Sequence, residues 1–217
     1  SAWHGGGGLM ANLTWPTTKL LAPQVLSWGE FRKRRTSGEP PMGGDAQIGE
    51  VPYSHRWVAD VTFPPTVSFA ERAQQEAWIS RIANGANRAV FHHFQHPVPY
   101  GTLRGSPTVS GVHAQGATTL VIAGTNGQTA LAGDMLGVTT TAAYAVQLVR
   151  VVVGGTISGG TVSLTIEPAL RASASNGAAI VWDRPSALWK LVDGSWKQTS
   201  SARNAQPISL SFVEVLS

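Results

Sequence analysis

Short stretches with an apolar residue at every second position recur along this chain, bounded by glycine and proline. In HRWVADVTF, Trp57, Ala59, Val61 and Phe63 alternate with Arg56, Val58, Asp60 and Thr62. Successive side chains of a strand point to opposite faces, so this period of two predicts a half-buried strand. Pro64-Pro65 ends it. Residues 89–95 give another strand, and residues 118–123 a third that runs into the tight-turn pair Asn126-Gly127. Gly133-Asp134 reads as a turn between short strands within 131–138. Residues 144–153 and 161–166 read as hairpin arms joined by GGTISGG. Near the end, 187–192 and 208–216 alternate in strand fashion, with an Asp193-Gly194 turn between Val192 and Trp196. The fold class this predicts is mostly β.

One segment breaks the pattern. Ser68 and Glu71 form an S-x-x-E capping box, in which each side chain satisfies the other residue's backbone N–H. The helix that follows is expected to run to about Ala83, with Asn84-Gly85 as its stop. Phe69, Ala73 and Ala77 lie four apart, and Trp78 and Ile82 continue the apolar side. The expectation is one small amphipathic helix packed on a sheet.

Composition narrows the function classes. Hydrophobic residues make up 42% of the 217, enough for a core. Charged residues are only 13%, against about 25% in ordinary soluble domains. The net charge of +4 is the balance of 16 cations and 12 anions, too even for a dedicated nucleic-acid binder. With no cysteine, disulfides, thiolate nucleophiles and cysteine zinc sites are excluded, which fits folding in a reducing cytosol. No apolar run approaches the ~20 residues of a membrane span, so no membrane partner is expected. The opening SAWHGGGG lacks the charged and apolar regions of a signal peptide and reads as a flexible arm.

Composition also divides the chain. Residues 1–50 carry many breakers, with apolar pieces at Leu20-Leu21 and Val25-Leu26 split by Pro23. They read as an extended N-terminal arm and loops holding one or two short strands. Residues 31–49, with the run Arg32-Lys33-Arg34-Arg35, Pro40-Pro41 and Gly43-Gly44, read as a loop. Residues 106–181 contain no lysine and few carboxylates, and read as an inserted small β-barrel-like domain. Residues 51–105 and 182–217 then form one discontinuous domain around it. No internal repeat is visible in the sequence.

Candidate chemistry is sparse. His92, His93 and His96 are the histidine cluster, but neighbours on a strand face opposite ways, and positions 77 to 133 hold no carboxylate to complete a metal site. There is no G-x-S-x-G elbow and no phosphate-binding loop. Glu167 and Asp183 are the acids that bracket the end of the insert, and Glu167, before Pro168, reads as a solvated turn residue. No catalytic, cofactor-binding or metal-ligating residue is therefore expected, no cofactor, and no enzyme. Arg32, Lys33, Arg34 and Arg35 are the candidate contact residues, facing an acidic patch on a neighbouring subunit or, transiently, DNA. Trp57 and Trp78 are placed on core faces, and Trp182, Trp189 and Trp196 near the return to the discontinuous domain.

The order of these pieces carries a family likeness. RWVADVTFPP is followed by SFAERAQQEAWISRIANG, then AVFHHF and a loop ending Gly-Thr-Leu-Arg-Gly. An insert follows with TLVIAGTNG, AGDMLGV and LTIEPALR, and the chain closes with LWKLVDGSW and SLSFVEVL. Over residues 50–217 this resembles the distal tail proteins and related minor tail proteins of long-tailed bacteriophages. The resemblance implies a β-sandwich-like ring domain with one helix and an inserted module. It implies a ring, commonly of six copies with three as the other option, between the tail tube protein and the hub or receptor-binding proteins. It places the chain in the virion at the tail tip, assembled in the host cytoplasm. Two other readings stay open: a minor tail or tail-completion protein elsewhere on the tube, and a carbohydrate- or receptor-binding module. The insert holds a single aromatic residue, Tyr144, where a sugar site needs an aromatic platform.

Overall fold

The computed structural model describes residues 12–16, 25–32, 34–36, 48–50, 55–63, 69–83, 87–142, 146–194 and 207–215. Lys33, Ser68, Asn84, Gly85, Tyr144, Trp196 and the opening glycines lie outside them. In chain order the first elements are β1 (Asn12–Thr14), β2 (Val25–Phe31), β3 (Arg34–Thr36), β4 (Ile48–Glu50), β5 (Arg56–Thr62), α1 (Phe69–Ala83) and β6 (Arg88–His92). Then come β7 (Thr108–Val109), β8 (Thr119–Ala123), β9 (Thr129–Ala130), β10 (Met135–Thr139), β11 (Val146–Val153), β12 (Gly155–Thr156) and β13 (Thr161–Glu167). The last are β14 (Ile180–Val181), β15 (Ser186–Leu191) and β16 (Ser209–Glu214). The fold is mostly β, with one helix among the described residues.

The chain divides into two compact units, one within residues 1–28, 58–94 and 188–215, the other within 29–57 and 95–187. Composition placed the insert at 106–181. The compact unit is wider, taking in 95–105 and 182–187 and also 29–57 from before the helix.

In the first unit, a six-stranded sheet has the order β1-β6-β15-β16-β5-β2. Its two inner strands, β15 and β16, pair antiparallel with Trp189 opposite Glu214, and β16 pairs with β5 with Leu210 opposite Val61. The alternation read in HRWVADVTF is realised, since Trp57, Ala59, Val61 and Phe63 are all buried. On the helix, Trp78 and Ile82 are buried as expected, and the rest of the buried face differs from expectation. Gln75, Trp78, Ile79 and Ile82 are buried, while Ala73 and Ala77 are exposed. These four follow the i, i+3, i+4, i+7 stripe, and an alanine's single methyl has too little area to outweigh them.

The reading of residues 1–50 as arm and loops needs correction. β1 pairs in parallel with β6, Leu13 opposite Ala89, and Trp15 just beyond it is buried. The Trp15 ring lies 4.5 Å from Trp78, 5.0 Å from Phe91, 5.3 Å from Phe94 and 5.7 Å from Phe63, at the centre of an aromatic core. The contact with Phe63 is stacked and the other three are edge-to-face, and both kinds add to the area the rings bury. Arg34 and Arg35 also belong to no loop: β3 pairs antiparallel with β4, Arg34 opposite Glu50. Turn chemistry at the prolines and glycines between the two strands hid the pairing.

In the second unit, the sheet order is β14-β10-β11-β13-β8-β7. The expected hairpin appears as β11 against β13, with a bulge between Val151 and Val153. The end strands of this order also meet: Val109 N donates to Ala178 O at 2.8 Å and Ile180 N to Pro107 O at 3.0 Å. The curved sheet thus returns on itself, in barrel-like fashion, around Leu120, Ile122, Leu136, Val149, Leu164 and their neighbours.

One small device recurs in this unit four times, in the turns 114–117, 125–128, 131–134 and 175–178. In each the fourth residue's N–H returns to the first residue's carbonyl, at 3.1, 3.2, 3.1 and 3.1 Å. The third residue is a glycine, Gly116, Gly127, Gly133 or Gly177, at φ 88, 85, 96 and 80°. A turn with φ above zero at its third position favours glycine, which has no Cβ to clash. Each glycine then donates to a facing carbonyl, of Leu170, Ile157, Val151 or Val109, and the same facing residue donates back to the turn's fourth residue. All four facing residues are buried core residues, so every corner is tied to the interior.

Candidate functional site

Among the described residues, a dense group of charged side chains lies in the second unit and gathers residues far apart in sequence. Glu30 is on β2 and Arg32 two positions on, so an extended chain presents both to one side. Arg150 on β11 and Glu167 at the end of β13 are direct cross-strand partners. His55 precedes β5. Glu30 is the hub. Its Oε1 accepts from Arg150 Nη1 at 3.0 Å, and its Oε2 lies 3.3 Å from both Arg32 Nη2 and His55 Nε2. Arg32 Nη2 also pairs with Glu167 Oε1.

The floor is aromatic and fixed. Trp57 is fully buried and donates its Nε1–H to Leu148 O at 3.1 Å. The Arg150 guanidinium carbon sits 4.7 Å above its ring, a cation–π contact that holds the arginine over the indole. Arg171 Nη2 donates to His55 O at 3.1 Å, which ties His55 down by its backbone. Gln147 in turn accepts from Arg171 N at 2.8 Å and donates to Ala169 O at 3.0 Å. The acid side chains retain partial solvent contact, 24% exposed for Glu30 and 37% for Glu167.

One oxygen from each carboxylate and a ring nitrogen of His55 lie within 4.8 Å of one another. Glu and His are ordinary ligands for a divalent ion. Here, however, both carboxylates already accept from guanidinium groups, and Arg32 and Arg150 supply the positive charge an ion would bring. The arrangement is an ion-pair hub of Glu30, Arg32, His55, Arg150 and Glu167, all within the second unit. Isolated exposed pairs contribute 0 to about 1 kcal/mol, whereas charge-assisted bonds over a packed floor are stronger.

The residues singled out from the sequence fall as follows. Arg32 belongs to the hub, Arg34 and Arg35 are on β3, and Lys33 is outside the described residues. Glu167 is not a bare turn residue, since Arg32 pairs with it. Asp183 is exposed and is not among the groups that converge on it. The three histidines of the sequence cluster sit in three environments. His93 is buried, its ring 4.4 Å from that of Trp28; His92 lies 5.1 Å from Phe94; His96 is hydrogen-bonded to the Tyr100 hydroxyl. Sequence reasoning missed Glu30, His55, Arg150 and Arg171, and no local pattern announces them. Trp182 donates its Nε1–H to Gly105 O at 2.7 Å and carries the Arg104 guanidinium 5.0 Å from its ring.

No protein-family model matches the chain, and a comparison with curated proteins finds no matching sequence. Among the described residues, no helix is long and apolar enough to cross a membrane.

Proposed function

We propose that this chain is a structural subunit of a bacteriophage tail tip or baseplate, a distal tail protein that forms a ring joining the tail tube to the hub or receptor-binding proteins. The observation that carries the reading is the threading of the two units. The first unit's sheet pairs β6 directly with β15, so the stretch from β7 to β14, which builds the second unit's own sheet, is inserted between two neighbouring strands of the first, and residues 29–57 join the second unit from before the helix. An insertion between β6 and β15 supports the architecture implied by the family resemblance of residues 50–217, and the recruitment of residues 29–57 lies outside what that resemblance implies.

On this reading the chain has no catalytic role and works by assembly. Copies meet by heterologous contacts that close into a ring. Arg32 belongs to the ion-pair hub, and Arg34 and Arg35 of the same basic run meet acidic groups of a neighbouring subunit. The ring forms in the host cytoplasm and is carried in the virion.

Native mass tests this. Six copies of a 22.9 kDa chain give about 137 kDa and three about 69 kDa by closed-ring counting. A ring with a central hole in negative-stain images, alone or on added tail tubes, supports the proposal. A strict monomer that ignores tail tubes and binds polysaccharide tightly overturns it in favour of a receptor-binding module.

A further inference from the structure

Two of the four glycine corners place asparagine directly before the left-handed glycine: Asn126-Gly127 and Asn176-Gly177, both exposed. Asparagine before glycine is the pair most open to deamidation, because glycine has no Cβ to hinder the approach. The glycine nitrogen attacks the asparagine Cγ. A new N–Cγ bond forms, the Cγ–Nδ2 bond breaks, and ammonia leaves with the proton of the glycine nitrogen. Water then opens the cyclic imide to aspartate or isoaspartate.

Both reacting groups are clamped in both corners, and in the same way. The nucleophile's N–H is donated away from the side chain, from Gly127 to Ile157 O at 2.9 Å and from Gly177 to Val109 O at 2.8 Å. The electrophile is held by a second glycine on another segment. Asn126 Oδ1 accepts from Gly160 N at 2.7 Å, and Asn176 Oδ1 from Gly111 N at 2.8 Å. To react, a corner must lose the bond to the core residue and the bond to the clamping glycine together.

We propose that Asn126 and Asn176 are latent deamidation sites that the fold holds shut, each by its own clamping glycine. The rate at each site in the native chain is the rate in the open chain multiplied by the fraction of time that corner is open. Deamidation thereby records local opening at two separate corners of the second unit. An isoaspartate at the turn's second position adds a methylene to the backbone, so a corner modified while open does not re-form its paired bonds.

The test is peptide mapping by mass spectrometry on the full chain, kept in mildly alkaline buffer with and without denaturing urea. Native rates at both asparagines are expected to be at least roughly tenfold below the unfolded rates. Two variants cross-check the mechanism. Gly160 and Gly111 have φ of 86° and 81° with open space around a Cβ, so alanine strains each clamp without a collision. Gly160→Ala should speed deamidation at Asn126 and not at Asn176, and Gly111→Ala the reverse, with circular dichroism confirming that both stay folded. Native rates equal to unfolded rates at either site overturn the proposal. So does a folded variant that speeds neither site, or both alike.

Discussion

Asp134 Oδ1 accepts the backbone N–H of Tyr100 at 2.7 Å, across 34 positions of sequence. Its Oδ2 accepts from Leu131 N at 2.8 Å and Gly101 N at 3.3 Å. The side chain is almost wholly buried, at 1% exposure. One carboxylate thus closes its own turn and pins the segment that enters the second unit. Asp134→Ala leaves buried N–H groups without that acceptor and is expected to cost about 2–4 kcal/mol. Asp134→Asn keeps one oxygen but turns an NH2 toward N–H donors, for a smaller loss of about 1–2 kcal/mol. Urea unfolding measures both, and equal losses would show that charge and acceptor count do not matter here.

Gly101 and Gly105, four residues apart, should respond to alanine for different reasons. A Cβ at Gly101 would lie 2.2 Å from Thr129 O, a collision with backbone that cannot give way. A Cβ at Gly105 meets nothing within 4 Å, but φ is +81° there. Gly101→Ala is expected to destabilise by about 3 kcal/mol or more, and Gly105→Ala by the left-handed strain alone, about 1–2 kcal/mol. A ranking in the other direction by chemical denaturation would contradict the close approach of Gly101 to Thr129.

Glu30 carries the ion-pair hub, so its charge should show in salt dependence. Glu30→Gln keeps the size and removes the charge that Arg150, Arg32 and His55 share. A loss of about 1–3 kcal/mol is expected at low salt. The gap between wild type and variant should narrow near 1 M salt, where screening acts over about 3 Å. Added Zn²⁺ or Mn²⁺ should leave the wild-type melting temperature unchanged, because both carboxylates already hold arginines. A clear rise would identify a metal site instead.

Trp57 tests the floor beneath that hub. Trp57→Phe keeps a ring under Arg150 but removes the N–H that Leu148 O accepts. A loss of about 1–2 kcal/mol is expected, mostly from the hydrogen bond. In a chain of this length each kcal/mol lowers the melting temperature by about 2–4 °C. No change in differential scanning calorimetry would mean the carbonyl is satisfied elsewhere.

Legibility in the sequence followed the range of the interaction. Period-two strands such as Arg56–Thr62 and Ser209–Glu214, and turns at Asn126-Gly127 and Gly133-Asp134, were readable because a few adjacent residues determine them. The helix span and the burial of Trp78 and Ile82 were readable, whereas Ala73 and Ala77 match the spacing yet bring too little area to decide which side is buried. β1 and β3 went unseen because three-residue strands hold no period, and Trp15 carries its weight alone. The recurrence of the glycine corner was invisible too, since the four turns share only the glycine, and their likeness lies in the facing carbonyls. The hub was the least legible part. Glu30 and Glu167 are linked through Arg32, which pairs with both, and the register that sets Arg150 of β11 opposite Glu167 of β13 has to be known before the group appears.

The two inner strands β15 and β16 come from the far side of the second unit. This sets an order on synthesis at the ribosome. The strands of the second unit are all translated by Val181, whereas the first sheet stays without its middle until Glu214 has emerged. During that interval β5 and β6 are made but lack the strands that lie between them, and their apolar faces need shelter from neighbouring nascent chains. A late stop codon or a proteolytic cut just before residue 186 would therefore spare every strand of the second unit's sheet and remove the middle of the first sheet.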